Sequence, residues 1–184
     1  MKVLALIGSA RKEGNTAVIV NKILEGIKAK NKKAKINSYF LHELNINPCQ
    51  SCYSCIKTGR CAQKDDMQKI YKFLKDGDVL ILGSPIYMDY VSAQTKLFID
   101  RLFPYIHEKA PEVNKNLKAI LVITWGWDKE DAYNNVIKNI EKVLKWHKIN
   151  VKKVIKGYGY QYEKTEVLED KKMLNYAYRI GYNI

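Results

Sequence analysis

Three stretches of the chain are apolar without interruption: Val3 to Ile7, Val79 to Leu82 and Ala119 to Ile123, all rich in Val, Ile and Leu. Continuous runs of this kind belong to strands buried on both faces, as in a parallel sheet. Two further segments, Ile36 to Leu41 and Val151 to Ile155, mix apolar with polar residues, which predicts strands at the sheet edges. Between the strands the period lengthens. Thr16, Ile19, Val20, Ile23, Leu24 and Ile27 recur along one helical face; Val91, Thr95, Phe98 and Leu102 form a second stripe that Pro104 stops; Ala132, Val136, Ile140, Val143 and Leu144 form a third. A shorter helix is predicted over 66–75, capped by Asp65 or Asp66, and a last one near Lys164 to Tyr178.

Strict alternation of strand and helix predicts an α/β fold, a doubly wound five-stranded parallel sheet with helices on both faces. The continuous strands, the first, third and fourth, should be central and the mixed ones lateral. That is the flavodoxin-like order 2-1-3-4-5, whose ligand crevice lies at the carboxyl ends of strands one and three. A length of 184 residues predicts a single domain, with a cysteine-rich insertion at about 42–64. No apolar run approaches the roughly 18 to 20 residues of a membrane span. Met1-Lys2-Val3 leads into a short run closed by Gly8, without the extended apolar region of a secretory leader. A soluble cytoplasmic protein with no membrane partner is expected.

Charge alters this picture only slightly. The 32 basic and 19 acidic residues give +13, which raises nucleic acid as a partner. The excess is spread over both halves, and only four of the cations are Arg, the residue suited to bidentate reading of bases. A solvated lysine-rich surface is expected, with no nucleic-acid partner, although a positive field still favours phosphorylated ligands.

The chemistry gathers in the loops. The first βα loop reads Gly8-Ser9-Ala10-Arg11-Lys12-Glu13-Gly14-Asn15-Thr16: two glycines, hydroxyls and the amides of a helix start form an anion cradle. It lacks the spacing of a Walker A loop and has no Gly-x-Gly-x-x-Gly. The loop after the third strand, Gly83 to Tyr90, is aromatic and contains Pro85, and Thr124-Trp125-Gly126-Trp127 offers a second wall. Converging on one crevice, these loops predict a planar ligand carrying a phosphate. All four cysteines fall in the second connection, as Cys49-x2-Cys52-x2-Cys55-x5-Cys61, a connection longer than irregular loops usually are unless functional. Their spacing resembles the run that wraps an iron–sulfur cube; zinc and free or regulatory thiols are the other readings. The loop leaves strand two at the crevice end of the sheet, which predicts that such a cluster neighbours the planar ligand. The three histidines show no ligand spacing.

Taken together, Gly-Ser-x-Arg-x-x-Gly-Asn-Thr at 8–16, Pro-Cys-x-x-Cys-x-x-Cys before Asp65-Asp66-Met67, and Ser-Pro-Ile-Tyr followed by Ser-Ala-Gln-x-Lys-x-Phe-Ile-Asp-Arg resemble the NADPH-dependent FMN reductase group and, within it, the iron–sulfur flavoproteins. The resemblance covers residues 1–127. It implies FMN, with its phosphate held by Ser9, Arg11, Asn15 and Thr16 and its ring met by Pro85, Ile86, Tyr87 and Met88 and by Thr124, Trp125 and Gly126. It further implies an FMN-dependent oxidoreductase or electron-transfer flavoprotein that forms a homodimer or homotetramer. Cys49, Cys52, Cys55 and Cys61 would carry a [4Fe-4S] cluster reduced by a one-electron carrier such as ferredoxin. Without a cluster, the expected activity is that of an NAD(P)H-dependent FMN or quinone reductase. A non-enzymatic binding module on the same scaffold is the competing class.

Overall fold

A computed structural model of the chain describes residues 1–161 and 166–184. The elements run β1 (Lys2–Ile7), α1 (Asn15–Lys30), β2 (Lys35–Phe40), α2 (Ser54–Thr58), α3 (Met67–Asp76), β3 (Val79–Tyr87), β4 (Tyr90–Val91), α4 (Ala93–Asp100), β5 (Lys118–Thr124), α5 (Asn134–Trp146), β6 (Asn150–Gly157) and α6 (Lys171–Asn183). Five strands pair in parallel in the order β2-β1-β3-β5-β6, which is the flavodoxin-like order with β5 and β6 as the fourth and fifth strands of the main sheet.

Successive side chains of a strand point to opposite faces, so each central strand feeds two cores. Val3, Ala5, Ile7, Ile81 and Val122 meet Ile19, Val20, Ile23 and Ile27 of α1 and Ala177 of α6 on one face. Leu4, Leu6, Leu80, Leu82 and Leu121 meet Ile70 and Leu74 of α3, Phe98 of α4 and Ile140 and Leu144 of α5 on the other. The edge strand β2 stays half solvated, with Lys35, Asn37 and Ser38 exposed, as its mixed composition requires.

Three details depart from the pattern-based expectation. A sixth strand exists: β4 turns back antiparallel on the end of β3, pairing Tyr87 with Tyr90 and Ile86 with Val91. Val91 therefore belongs to this hairpin, and the helix it was expected to share starts only at Ala93. Ahead of α3, Asp66 is the cap residue by position but makes no side-chain cap bond; Asp65 Oδ1 accepts the Met67 amide at 3.1 Å instead. The final helix starts at Lys171, where Asp170 accepts the Met173 amide, and runs to Asn183, five residues past the expected end. Its expected start at Lys164 lies outside the described residues. Among the described residues no helix is long and apolar enough to cross a membrane.

Candidate functional site

Three strand ends build the cleft. After β1 the chain turns at Gly8, whose amide donates to the Gly83 carbonyl at 2.7 Å and whose carbonyl accepts the Ser92 hydroxyl at 2.8 Å. A Cβ at Gly8 would stand 1.9 Å from Thr95 Oγ1, so no larger residue fits unless the α4 start moves. Ser92 also caps α4 by accepting the Thr95 amide, and Ser84 Oγ accepts both the Ser92 amide and the Thr95 hydroxyl at 3.1 Å. Ser84, Ser92 and Thr95 are all buried. These hydroxyls lock the first and third loops together with no charged group involved.

Within the first loop, Ser9 Oγ accepts the Arg11 amide at 3.1 Å and the Gly14 amide donates to the Arg11 carbonyl at 3.1 Å. The turn delivers the chain to α1 through Gly14, and among the described residues no side chain caps that helix. Its first amides and the positive end of its dipole therefore suit an anion. Two residues expected to hold phosphate are already engaged: Asn15 Oδ1 accepts the Val167 amide at 3.0 Å, and Thr16 Oγ1 shares a 2.6 Å hydrogen bond with Thr124 Oγ1. Lys12 turns away to Glu43 at 2.5 Å, and that hydrogen bond holds the Glu43 carboxyl below its ordinary range.

A cleft of about 280 Å³ joins Ser9, Arg11, Gly14, Asn15 and Thr16 to Pro85, Ile86 and Tyr87 of β3, to Thr124, Trp125 and Gly126 after β5, and to Tyr160 and Gln161 beyond β6. Ten of the eleven residues singled out for a flavin therefore share one cavity. Met88 stands apart: it is 98% exposed at the tip of the β3–β4 turn and does not line the cleft. Trp125 is buried, stacked on Tyr158 at 5.9 Å and edge-on to Tyr133. The apolar pattern ends the fifth strand at Ile155 and gives no sign of Tyr160 and Gln161 at the cleft, whereas β6 continues to Gly157 and carries them to the crevice. Burial raises the Tyr160 phenol well above its ordinary value, and its hydrogen bond to Asp170 at 2.9 Å adds to this.

The cysteine connection forms a second cavity that shares no lining residue with the first. Cys55 lies in the short α2, and Gly59, at φ 70°, closes that turn by donating to the Cys55 carbonyl at 2.8 Å. A Cβ there would meet the Lys109 carbonyl at 2.2 Å. All four cysteines are free thiols: Cys49 and Cys52 are exposed, Cys61 is half-buried and Cys55 is buried. They line one space of about 20 Å³. Burial pushes the Cys55 thiol up, and Cys61, Cys52 and Cys49 add to the rise through their proximity.

A buried ion pair sits where the two ends of this loop meet, beside the hydrogen bonds of Asn45 with Asp66 and of Gln63 with the Pro48 carbonyl. Arg101, 1% exposed, ends α4. Its Nη1 donates to Asp65 Oδ2 at 2.5 Å and to the Asn47 carbonyl at 2.7 Å; its Nη2 donates to Asp65 Oδ1 at 3.1 Å and to Cys61 Sγ at 3.4 Å. Burial by itself would raise the Asp65 carboxyl, but the Arg101 fork and the amides of Asn47 and Met67 outweigh it and hold the carboxyl below its ordinary range. Arg101 was visible in the sequence only as the last letter of a motif, and its partners lie 36 to 54 residues away.

Among the described residues no three His, Cys, Asp or Glu side chains are disposed to hold a single metal ion. The donor set itself, four soft sulfurs about one cavity beside a buried cation, suits an iron–sulfur cluster in kind. The ligands of such a cube stand farther apart than those of one ion.

Comparison with known proteins adds three findings. The model of a family described as NADPH-dependent FMN reductase matches residues 1–154. An iron-sulfur flavoprotein of Archaeoglobus fulgidus is 31% identical over 142 residues, 77% of this chain and 63% of that protein; the iron-sulfur flavoprotein MJ1083 of Methanocaldococcus jannaschii is 40% identical over 104 residues, 56% and 53% of the two. These alignments thus span about half to two-thirds of the relatives' own length. Among solved structures, an azoreductase from Bacillus anthracis superposes over the full length of both chains with a TM-score of 0.73 at 14% identity, a likeness of fold.

Proposed function

The chain belongs to the NADPH-dependent FMN reductase family, and from that premise we propose that it is an FMN-dependent oxidoreductase whose flavin occupies the cleft at the carboxyl ends of β1, β3 and β5. The observation that carries this reading is the convergence, in one cavity, of an uncapped helix start with Ser9 and Arg11 on one side and the walls of the β3 and β5 loops on the other. Bound there, FMN supplies hydride and single-electron chemistry, and the protein supplies binding, orientation and access. The α1 amides and the Ser9 hydroxyl accommodate the phosphate, and Arg11 balances its charge. Asn15 and Thr16 act chiefly through their backbone, since Asn15 Oδ1 and the Thr16 hydroxyl have protein partners. Pro85, Ile86, Tyr87, Thr124, Trp125 and Gly126 would hold the ring. NAD(P)H is the donor in keeping with the family.

The test is a titration of the protein with FMN, riboflavin and FAD followed by flavin fluorescence. FMN should bind at least tenfold more tightly than riboflavin, because a charge-assisted hydrogen bond to phosphate is worth about 1.5–3 kcal/mol. Equal affinity for the two would remove the phosphate cradle from the reading. FAD binding as tightly as FMN would remove the preference for a single phosphate.

The cysteine cavity supports a second cofactor, a [4Fe-4S] cluster on Cys49, Cys52, Cys55 and Cys61, in keeping with the names of the relatives. A one-electron carrier such as ferredoxin then serves as reductant. Anaerobic reconstitution followed by iron and sulfide assays decides it: FMN binding without uptake of iron and sulfide leaves a cluster-free FMN or quinone reductase. Tyr87 at the cleft and Trp127 just beyond Gly126 are exposed. A second copy of the chain covers them in a homodimer or homotetramer, which sedimentation of the FMN-loaded protein tests; a monomer at micromolar concentration would count against it.

A further inference from the structure

We propose that Arg101 is the positioning residue of the cysteine site: its guanidinium holds Cys61 in place and, through the Nη2 hydrogen bond to Cys61 Sγ, raises the reduction potential of the group those thiols carry. The inference rests on the cluster reading above and goes beyond it by giving the four sulfurs unequal roles. Cys49 and Cys52 face solvent, and Cys55 is held by the short α2 turn. Among the described residues Cys61 alone of the four accepts a hydrogen bond from a buried cationic side chain, at 3.4 Å.

Geometry makes Arg101 suited to the task. A guanidinium presents five N–H donors in a rigid plane, so it can face a carboxylate with one edge and still aim a donor elsewhere. Here both terminal nitrogens bind Asp65; Nη1 also reaches Asn47 on the entry side of the loop and Nη2 reaches Cys61 on its exit side. One side chain thereby ties together the two ends of the cysteine run. The main chain that carries it is held as well: Tyr71 Oη donates to the Arg101 carbonyl at 2.5 Å, and at the other end of α4 Ser92 is bonded to Gly8. Hydrogen bonds and positive charge at a cluster sulfur stabilise the more negative, reduced state, and outer-shell groups of this kind set potential as well as ligand orientation.

Arg101→Lys keeps the charge but loses the fork, because an ammonium held by Asp65 cannot also span to Cys61. Asp65→Asn keeps the Cys61 hydrogen bond and removes a negative charge. In reconstituted, FMN-loaded protein, reductive titration read by the electron paramagnetic resonance signal of the cluster should show the Arg101→Lys reduction equilibrium weakened about tenfold, a 59 mV fall for a one-electron couple. Asp65→Asn should shift the other way. The potential of FMN, in the separate cleft, should stay put in both. If Arg101→Lys does not fold, Asp65→Asn and the double variant Asp65→Asn/Arg101→Gln, which carries no net charge change, give the same reading. A cluster present in wild type whose potential is unmoved by these variants overturns the role of Arg101 alone. A wild type that binds FMN and takes up neither iron nor sulfide overturns the cluster reading and this inference with it.

Discussion

The two sites are assembled by opposite means. The cleft at the strand ends is held together by neutral groups that the sheet delivers: Gly8 meets Gly83 because β1 and β3 are neighbours in register, and the hydroxyls of Ser84, Ser92 and Thr95 close the gap. No strand residue lines the cysteine cavity. Its loop carries non-glycine residues at positive φ, Ser51 and Tyr53, and its two ends meet around a buried ion pair, Arg101 with Asp65, to which the Asn47 amide and carbonyl also bond. Many small neutral bonds tolerate the loss of one, whereas a buried charge cannot lose its partner cheaply. The cysteine site should therefore be the brittle one, and the cleft the graded one.

The sharpest way to break that contrast is Arg101→Met. It leaves Asp65 buried with no cation, and breaking such a pair from one side costs about 3–5 kcal/mol. Urea unfolding monitored by far-ultraviolet circular dichroism should register it, and a loss under about 1 kcal/mol would show that solvent reaches the pair. Acid probes the same bond. The Asp65 carboxyl is held below its ordinary value, so its contribution is complete above the unfolded pKa and is lost as pH falls through the lower folded one. The gap in stability between wild type and Asp65→Asn should hold steady from about pH 7 to 5 and close as pH falls below about 4.

The cleft should yield by steps. Gly8→Ala drives a methyl against Thr95 Oγ1 and Ser92 Oγ, and overpacking of this kind costs about 1–3 kcal/mol. Because the clash sits under the anion cradle, FMN affinity should fall along with stability, as fluorescence titration would read. Thr16→Val is milder: it leaves the Thr124 hydroxyl buried without its partner, a cost of about 1–2 kcal/mol, with FMN affinity changed less than by Gly8→Ala.

How far each site could be read in advance follows from the same contrast. Strand positions and their order were legible because burial on both faces leaves continuous Val, Ile and Leu runs, and the cleft was legible because it sits where those runs end. The β3–β4 hairpin was not. Its turn, Tyr87-Met88-Asp89-Tyr90, has none of the Asn-Gly or Gly-containing pairs that mark such turns, and Val91 happened to fall at helical spacing from Thr95 and Phe98. At the cysteine loop the ligand-type residues were plain from spacing, but what holds them was hidden. Arg101 and Asp65 are paired by tertiary packing, and no periodicity relates residues 36 apart. The loop is expected beside the flavin because it leaves β2 at the crevice end; its cavity is lined by Asp100 and Arg101 at the end of α4 and shares no lining residue with the cleft.

The smallest effect tests where the cleft ends. Met88 and Asp89 both have positive φ, 47° and 62°, the backbone of a two-residue type I′ turn, in which Asn is favoured at the first position and β-turn strain is greatest for side chains that cannot bond their own backbone. Met88 is 98% exposed, so replacing it forfeits no packing. Asp89 is a different case, since it accepts the Tyr133 hydroxyl at 3.1 Å. Met88→Asn should therefore stabilise the protein by about 0.5–1 kcal/mol, within the range of other substitutions that suit the residue to its native backbone. FMN affinity should stay within twofold of wild type, because the side chain lies outside the cleft. A gain in stability accompanied by a tenfold loss of FMN binding would return Met88 to the flavin site and extend the graded, neutral construction of the cleft out to its rim.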